Sequence, residues 1–375
     1  MRPKGPNRRG ARRRLAALAA IAALATTAGL ILGANGQEIA PKRKAGAERQ
    51  PPLPLERAVG ELLVMSFDGT EAPAYIRRRL RDGQGSGVIL FAKNAPDAAT
   101  LRGLTKALQR ASGNRALIAT DQEGGQIRSV PFAAPAQSAG TLTTAAAAAV
   151  AARAGARDLR AAGINVNLAP VADVADGLGS VLAGRAYPGG AAQVAPLVGA
   201  SVRAHRRERV AATVKHFPGL GAAAVNTDDE PVTLDTPVRE LQGTLAPFRE
   251  AIRAGVPLVM SSHALYTALD RNRIASQSEA VLGDLLRGEL GFDGVVITDS
   301  IEARAVLARS GVGRAAERSV EAGADLVLMT GSGSWNLVQP RLLRRARRDS
   351  AFRRRVERAA ARVIALKRKL GLANP

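Results

Sequence analysis

Eight short apolar runs recur along the chain, and they restrict its fold more than any other feature. They are LLVMSF (62–67), GVILF (87–91), ALIATD (116–121), GINVNLAP (163–170), AATVKHFP (211–218), VPLVMSSH (256–263), GVVITDS (294–300) and ADLVLMTG (324–331). Each is apolar almost throughout instead of alternating, the pattern of a strand buried on both faces of a parallel sheet. Between them lie stretches of helical composition and spacing, at 101–111, 145–162, 191–207, 247–254, 280–290 and 314–322. Eight such βα units over residues 55–331 match the size of a (β/α)8 barrel of TIM type. A doubly wound sheet would normally carry a GxGxxG turn after its first strand, where this chain reads MSFDGTE. A further basic helix is expected over residues 342–370, packed through Val356, Ala360, Val363 and Leu366.

Composition narrows the chemistry. The chain has no cysteine and three histidines, His205, His216 and His263, so a thiol nucleophile is excluded and zinc hydrolysis is disfavoured. No cofactor and no metal are expected. The net charge of +22 sits at the ends: residues 1–14 hold seven basic and no acidic residues, and residues 341–369 hold thirteen basic against Asp349 and Glu357. That leaves +4 for the remainder, and aromatics make up 3% of the chain, so a nucleic-acid partner is not expected.

The basic start precedes twenty residues, 15–34, without a charge. This predicts a signal or membrane-anchor segment over 1–36, followed by a polar linker over 37–54 and the barrel over 55–375. The basic flank would stay cytoplasmic, placing the barrel outside, secreted or attached to the membrane through the uncleaved segment.

Polar residues gather where the apolar runs end: Asp68, Asn94, Asp121, Glu123, Asn167, Asp173, Lys215, His216, Ser261, His263 and Asp299. Burying such groups costs several kcal/mol each unless they are paired or face a wet pocket, and one mouth of a barrel offers such a pocket. Asn167 and Asp173 could equally cap loops, Glu123 could hold local backbone, and His263 could be a satisfied core histidine. Asp299, at the end of GVVITDS, is the best nucleophile for a sugar's anomeric carbon. Lys215 and His216 are adjacent and would point to opposite faces of a regular strand, but the following Pro-Gly bends the chain so that both could reach the mouth. No GxSxG elbow or GxxxxGK[ST] phosphate loop is present.

DQEGGQIR (121–128), GINVNLAPVADV (163–174), GRAY (184–187), VKHFPG (214–219), VMSSHALYTALD (259–270) and GELGFDGVVITDS (288–300) resemble, in order, the signatures of glycoside hydrolase family 3, in its single-domain β-N-acetylhexosaminidase branch. The resemblance implies retaining, metal-independent hydrolysis of a β-linked sugar through a covalent glycosyl-enzyme on Asp299. It also implies a carbohydrate substrate, in this branch an N-acetylglucosamine-containing glycan such as those of the cell wall. Asp121, Arg185, Lys215 and His216 match the family's sugar-holding residues, and His263 joins them as a substrate contact.

Two departures bear on the chemistry. The branch continues after KHFPG with His-Gly and, a few residues on, Asp-Ser-His, whose histidine is the acid/base. Here Leu220 replaces the first histidine, and Asn226, Thr227 and Asp228 stand where Asp-Ser-His would be. Asp228 or Asp229 could protonate the leaving oxygen directly, a carboxylic acid beside a second carboxylate being the ordinary glycosidase arrangement, with the two carboxyls about 5–5.5 Å apart in retaining enzymes. Glu123 or Glu230 could supply the proton instead, or acid catalysis could be lost, leaving a membrane-anchored glycan-binding barrel. A phosphorylase of the same family is a further alternative. The second departure is Ser129 where the family carries arginine, with Arg128 one place earlier. The expected catalytic pair is Asp299 as nucleophile and Asp228 as acid/base.

Overall fold

The computed structural model describes residues 53–175 and 179–373. The expected signal segment, and the linker up to residue 52, lie outside the described residues. Each of the eight apolar runs contributes one strand: β1 (Leu63–Met65), β2 (Gly87–Leu90), β3 (Leu117–Thr120), β4 (Val166–Asn167), β5 (Ala211–Phe217), β6 (Leu258–Ser261), β7 (Val295–Ser300) and β8 (Leu326–Leu328). They pair in parallel in chain order, and β8 returns to β1 to close the barrel.

The runs are continuous because both sides of each strand are buried. Val64, Ile89, Leu117, Val166, Leu258, Val295, Ile297 and Leu326 pack inside the barrel. Their neighbours Leu63, Met65, Val88, Leu90 and Ile118 pack outward against the helices. Those helices start where the sequence supplies a side-chain acceptor for the first free N–H groups: Asp97 caps Ala98–Ser112 through the N–H groups of Ala99 and Thr100, at 2.8 and 2.9 Å, and Thr144 caps Ala145–Ala161.

The expected terminal helix over 342–370 is two helices, Ser334–Arg348 and Ser350–Lys369. Asp349 separates them: it leaves helical geometry and accepts from the N–H groups of Ala351 and Phe352. The second helix closes the barrel's amino-terminal mouth, with Val363 and Leu366 joining the interior cluster and Val356 and Ala360 buried in the adjoining one. Much of its positive charge is used locally. Lys367 Nζ lies 2.5 Å from Glu61 Oε2, and Arg355 and Arg362 share the fully buried Asp325 with Arg287. Among the described residues no helix is long and apolar enough to cross a membrane.

Candidate active site

The carboxyl ends of the strands carry two connected polar groups. The first is a buried charge cluster. Lys215 Nζ, on β5, lies 2.6 Å from both Asp121 Oδ1 and Glu123 Oε1, which follow β3. Arg185, on the loop after β4, grips Glu123 with two parallel bonds of 2.9 and 2.8 Å. Burial opposes every charge here, yet the pairing prevails for three of them: Glu123 falls to about 2, Lys215 rises to about 12 and Arg185 rises. Asp121 is the exception. Burial outweighs Lys215 there, and its carboxyl titrates above the ordinary range.

The second group surrounds Asp299, at the end of β7. Its Oδ1 accepts from the Ser300 N–H at 2.8 Å, and its Oδ2 faces His216 Nε2 at 3.9 Å, beyond hydrogen bonding. Burial pushes Asp299 up, but the positive neighbourhood of His216 and Lys215 and the Ser300 N–H outweigh it and hold the carboxyl below the usual range. His216 is fixed from behind by Asp173, whose Oδ2 accepts from the ring Nδ1 at 2.7 Å and from the His216 N–H at 3.0 Å. Asp173 Oδ1 takes the Leu220 N–H at 2.6 Å. In a regular strand Lys215 and His216 would face opposite ways; the peptide joining them is cis, and Lys215 meets Asp121 while His216 faces Asp299.

Asp228 lies on the loop between β5 and β6. The carbonyls of Thr227 and Asp228 accept from Ala305 and Arg304 N–H at 3.1 Å, seating the loop beside the end of β7, and Asn226 Oδ1 takes the Asp228 N–H at 3.1 Å. A Cβ on Gly221 would run into the Val174 carbonyl, so glycine is required where this loop leaves β5. Asp121, Asp228 and Asp299 line one open cleft of about 340 Å³. Although the Asp228 side chain reaches solvent, partial desolvation and the charge of Asp299 raise its carboxyl to about 6.

Several expected members stand elsewhere. His263, expected as a substrate contact, is fully buried with both ring nitrogens occupied, by Ser276 Oγ at 2.7 Å and the Ser300 carbonyl at 2.9 Å. Burial lowers its pKa; it is the satisfied core histidine and braces the turn after Asp299. Asn167 ties β3 to β4 through both backbone groups of Gln122 and meets His205 at 3.0 Å. Asn94 holds the carbonyls of Phe67 and Gly69, and Asp68 pairs with Lys93 at the surface. Arg128 is bound by the carbonyls of Pro131 and Ala133 and does not join the charge cluster.

Two cleft residues escaped the sequence reading. Glu302 Oε2 accepts from Thr330 N–H at 2.9 Å, Ser300 Oγ at 3.1 Å and Thr330 Oγ1 at 3.2 Å, joining the ends of β7 and β8. Thr330 closes the eighth apolar run, so its position was a usable signal. Glu302 sits in a turn past its strand and gave none. Among the described residues no cluster of potential metal ligands is present.

The family model for the glycosyl hydrolase family 3 N-terminal domain matches residues 54–366. A secreted glycosyl hydrolase of Arthroderma benhamiae is 36% identical over 75% of this chain and 84% of its own. A β-hexosaminidase of Xanthomonas oryzae is 34% identical over 72% of this chain and 83% of its own. Among solved structures, a β-N-acetylhexosaminidase from Beutenbergia cavernae has a TM-score of 0.77 at 31% identity, covering 85% of this chain and 99% of that one. A family 3 β-N-acetylglucosaminidase from a Paenibacillus species has a TM-score of 0.81 at 36% identity, and the present chain spans 63% of its length. The chain therefore belongs to glycosyl hydrolase family 3, and it is a glycosidase that hydrolyses O-glycosyl bonds of a carbohydrate substrate.

Proposed function

We propose that this glycosidase is a retaining β-N-acetylhexosaminidase acting outside the cytoplasm on N-acetylglucosamine-containing glycans. The observation that carries the mechanism is the pair of carboxyls in one cleft with opposite acidities: Asp299 below the ordinary range and Asp228 raised to about 6. Two groups displaced in this way divide into nucleophile and acid.

Asp299 Oδ2 attacks the anomeric carbon as the glycosidic C–O bond breaks, and the Asp228 proton passes to the leaving oxygen. Asp228, now a carboxylate, takes a proton from water as that water attacks the glycosyl-enzyme, and Asp299 leaves as a carboxylate. Asp121, Arg185, Lys215 and His216 form the polar wall that meets the sugar's hydroxyls. Glu123 is unsuited to the acid's task because two cations hold it ionised. Glu230 is exposed and does not line the cleft. The sugar assignment is supported by the β-hexosaminidases among the relatives. The export assignment is supported by the sequence of residues 1–36 and by the secreted relative.

The test compares activated aryl N-acetyl-β-glucosaminide with aryl β-glucoside, using residues 41–375 and the Asp299→Ala variant. Turnover of the N-acetyl substrate, reduced on the order of 10⁴-fold or more by the substitution, is the expected result. Preference for the plain glucoside would overturn the sugar assignment, and turnover surviving in Asp299→Ala would overturn the nucleophile.

A further inference from the structure

A cavity of about 570 Å³ lies at the opposite end of the barrel from the cleft, where the closing helix Ser350–Lys369 meets the starts of β5 and β7. Arg206, Arg209, Arg362 and Lys369 stand around it against one carboxylate, Asp293. Its wall is otherwise apolar, with Val210, Val256 and Leu366 buried and Ile252 and Leu370 partly open to the space. Arg206, Arg209 and Lys369 are exposed, so water screens their mutual repulsion; what sets this place apart is the excess of cations beside an apolar wall.

Internal partners leave much of this positive charge available to a ligand. Arg362 reaches Asp325 at 3.3 Å, but Asp325 already holds Arg287 at 2.6 Å and Arg355 at 2.9 Å, so its single charge is shared three ways. Arg206 makes one long bond, 3.3 Å, to the Ala254 carbonyl. The carbonyl ends of helices Ala191–Arg207 and Ser350–Lys369 attract cations, which accounts for Arg206 and Lys369. It does not account for Arg209, which lies beyond the first helix in left-handed geometry, φ 57°. Helices ordinarily place glycine at that position, and an L side chain there costs roughly 1–2 kcal/mol. The chain thus keeps a long, exposed cation on the rim of the apolar cavity at a position whose backbone glycine would suit better.

We propose that this cavity binds an anionic amphiphile, an acidic phospholipid whose phosphate meets Arg209 and Lys369 and whose first methylenes lie on the apolar wall. The volume takes a phosphate head with the first methylenes of its chains, and exceeds what a bare phosphate fills. Occupied in this way, the closed end of the barrel rests on an anionic membrane and the catalytic cleft faces away from it. The inference stands apart from the glycosidase mechanism.

Residues 53–375 form one compact unit that contains all eight strands, the closing helix and the described core, and turnover by this piece serves as the check that it is folded. The probes are dodecyl phosphate below its micelle concentration, dodecyl maltoside as a neutral tail, inorganic phosphate as a bare head, and phosphatidylcholine vesicles with and without phosphatidylglycerol. The expected result is saturable binding of dodecyl phosphate, at least about tenfold tighter than either half-probe, and flotation with the acidic vesicles alone. Arg209→Gly, which relieves the left-handed backbone, should leave turnover unchanged and weaken binding about tenfold, the worth of one charge-assisted contact. Lys369→Gln should act in the same direction. Equal binding of dodecyl maltoside, equal binding of inorganic phosphate, equal flotation with neutral vesicles, or acidic-vesicle binding untouched by both substitutions would each overturn the proposal.

Discussion

The two polar groups of the cleft are built from the same residue types and behave in opposite ways. Around Lys215, two carboxylates meet two cations at 2.6–2.9 Å, and pairing holds Glu123 near 2 and Lys215 near 12. Neither of these two can exchange a proton near neutrality, and Asp121, at the cleft side of the group, is the one member that burial raises on balance. Around Asp299 the carboxylates outnumber their close cations, and the nearest imidazole nitrogen stands at 3.9 Å. That leaves one carboxyl, Asp228, titrating at about 6. A saturated network fixes geometry, and an unsaturated one keeps a proton available for transfer.

Removing the available proton gives the largest contrast. Asp228→Ala should slow hydrolysis of substrates with poor leaving groups by roughly 10²–10⁴-fold, while activated aryl glycosides lose far less in the glycosylation step. Added azide should restore turnover of the activated substrates as a glycosyl azide, because that anion needs no base. The pH profile sharpens the same point. In the proposed mechanism the glycosylation step needs Asp299 ionised and Asp228 protonated, so kcat/KM of the unmodified enzyme should fall on the alkaline side from about pH 6. Its acid limb should lie below the usual carboxylate range. In Asp228→Ala the alkaline limb should vanish. An alkaline limb unchanged by the substitution would assign the proton to another group.

Breaking the saturated side should act on stability first. Lys215→Met leaves the buried Glu123 beside the half-buried Asp121, with Arg185 as the remaining close cation of Glu123. Loss of one partner from a buried ion pair typically costs about 3–5 kcal/mol, read as a lowered denaturation midpoint. An intact midpoint with reduced turnover would mean that Lys215 serves the substrate far more than the fold.

The sequence carried the barrel because its signal is repeated: eight runs apolar on both faces can close in few ways, and each run contains its strand. It carried the Asp121, Lys215 and Asp299 positions because charged residues at the ends of apolar strands have little structural reason to be there. It did not carry the break at Asp349, where one side chain able to cap a new helix interrupts a continuous helical pattern. Nor did it separate His263 from the cleft: an imidazole at a strand end reads the same whether its nitrogens meet substrate or, as here, Ser276 and a carbonyl. Glu302 was invisible because its partners, Ser300 and Thr330, come together through the β7–β8 pairing and not through sequence spacing.

The smallest contrast lies within the loop that replaces Asp-Ser-His. Asn226 makes no contact with the charge cluster; its side-chain oxygen takes the Asp228 N–H, its side-chain amide donates a long 3.5 Å bond to Asp228 Oδ2, and its carbonyl takes the N–H groups of Asp229 and Glu230. Asn226→Ala removes both side-chain bonds and keeps the carbonyl, so the loop should loosen by about 0.5–1.5 kcal/mol. Global stability should hardly change, since the loop's exposed tip adds little to the core. Turnover of poor leaving groups should fall by less than about tenfold, because a less restrained Asp228 spends less time in reach of the glycosidic oxygen. The pH at which the alkaline limb begins should move little, because the burial and the charge of Asp299 that raise Asp228 remain, and the amide bond lost from its carboxylate is a long one of 3.5 Å. A positioning role predicts this separation of rate from acidity, and a large shift of the alkaline limb would instead make Asn226 part of what sets the proton's affinity.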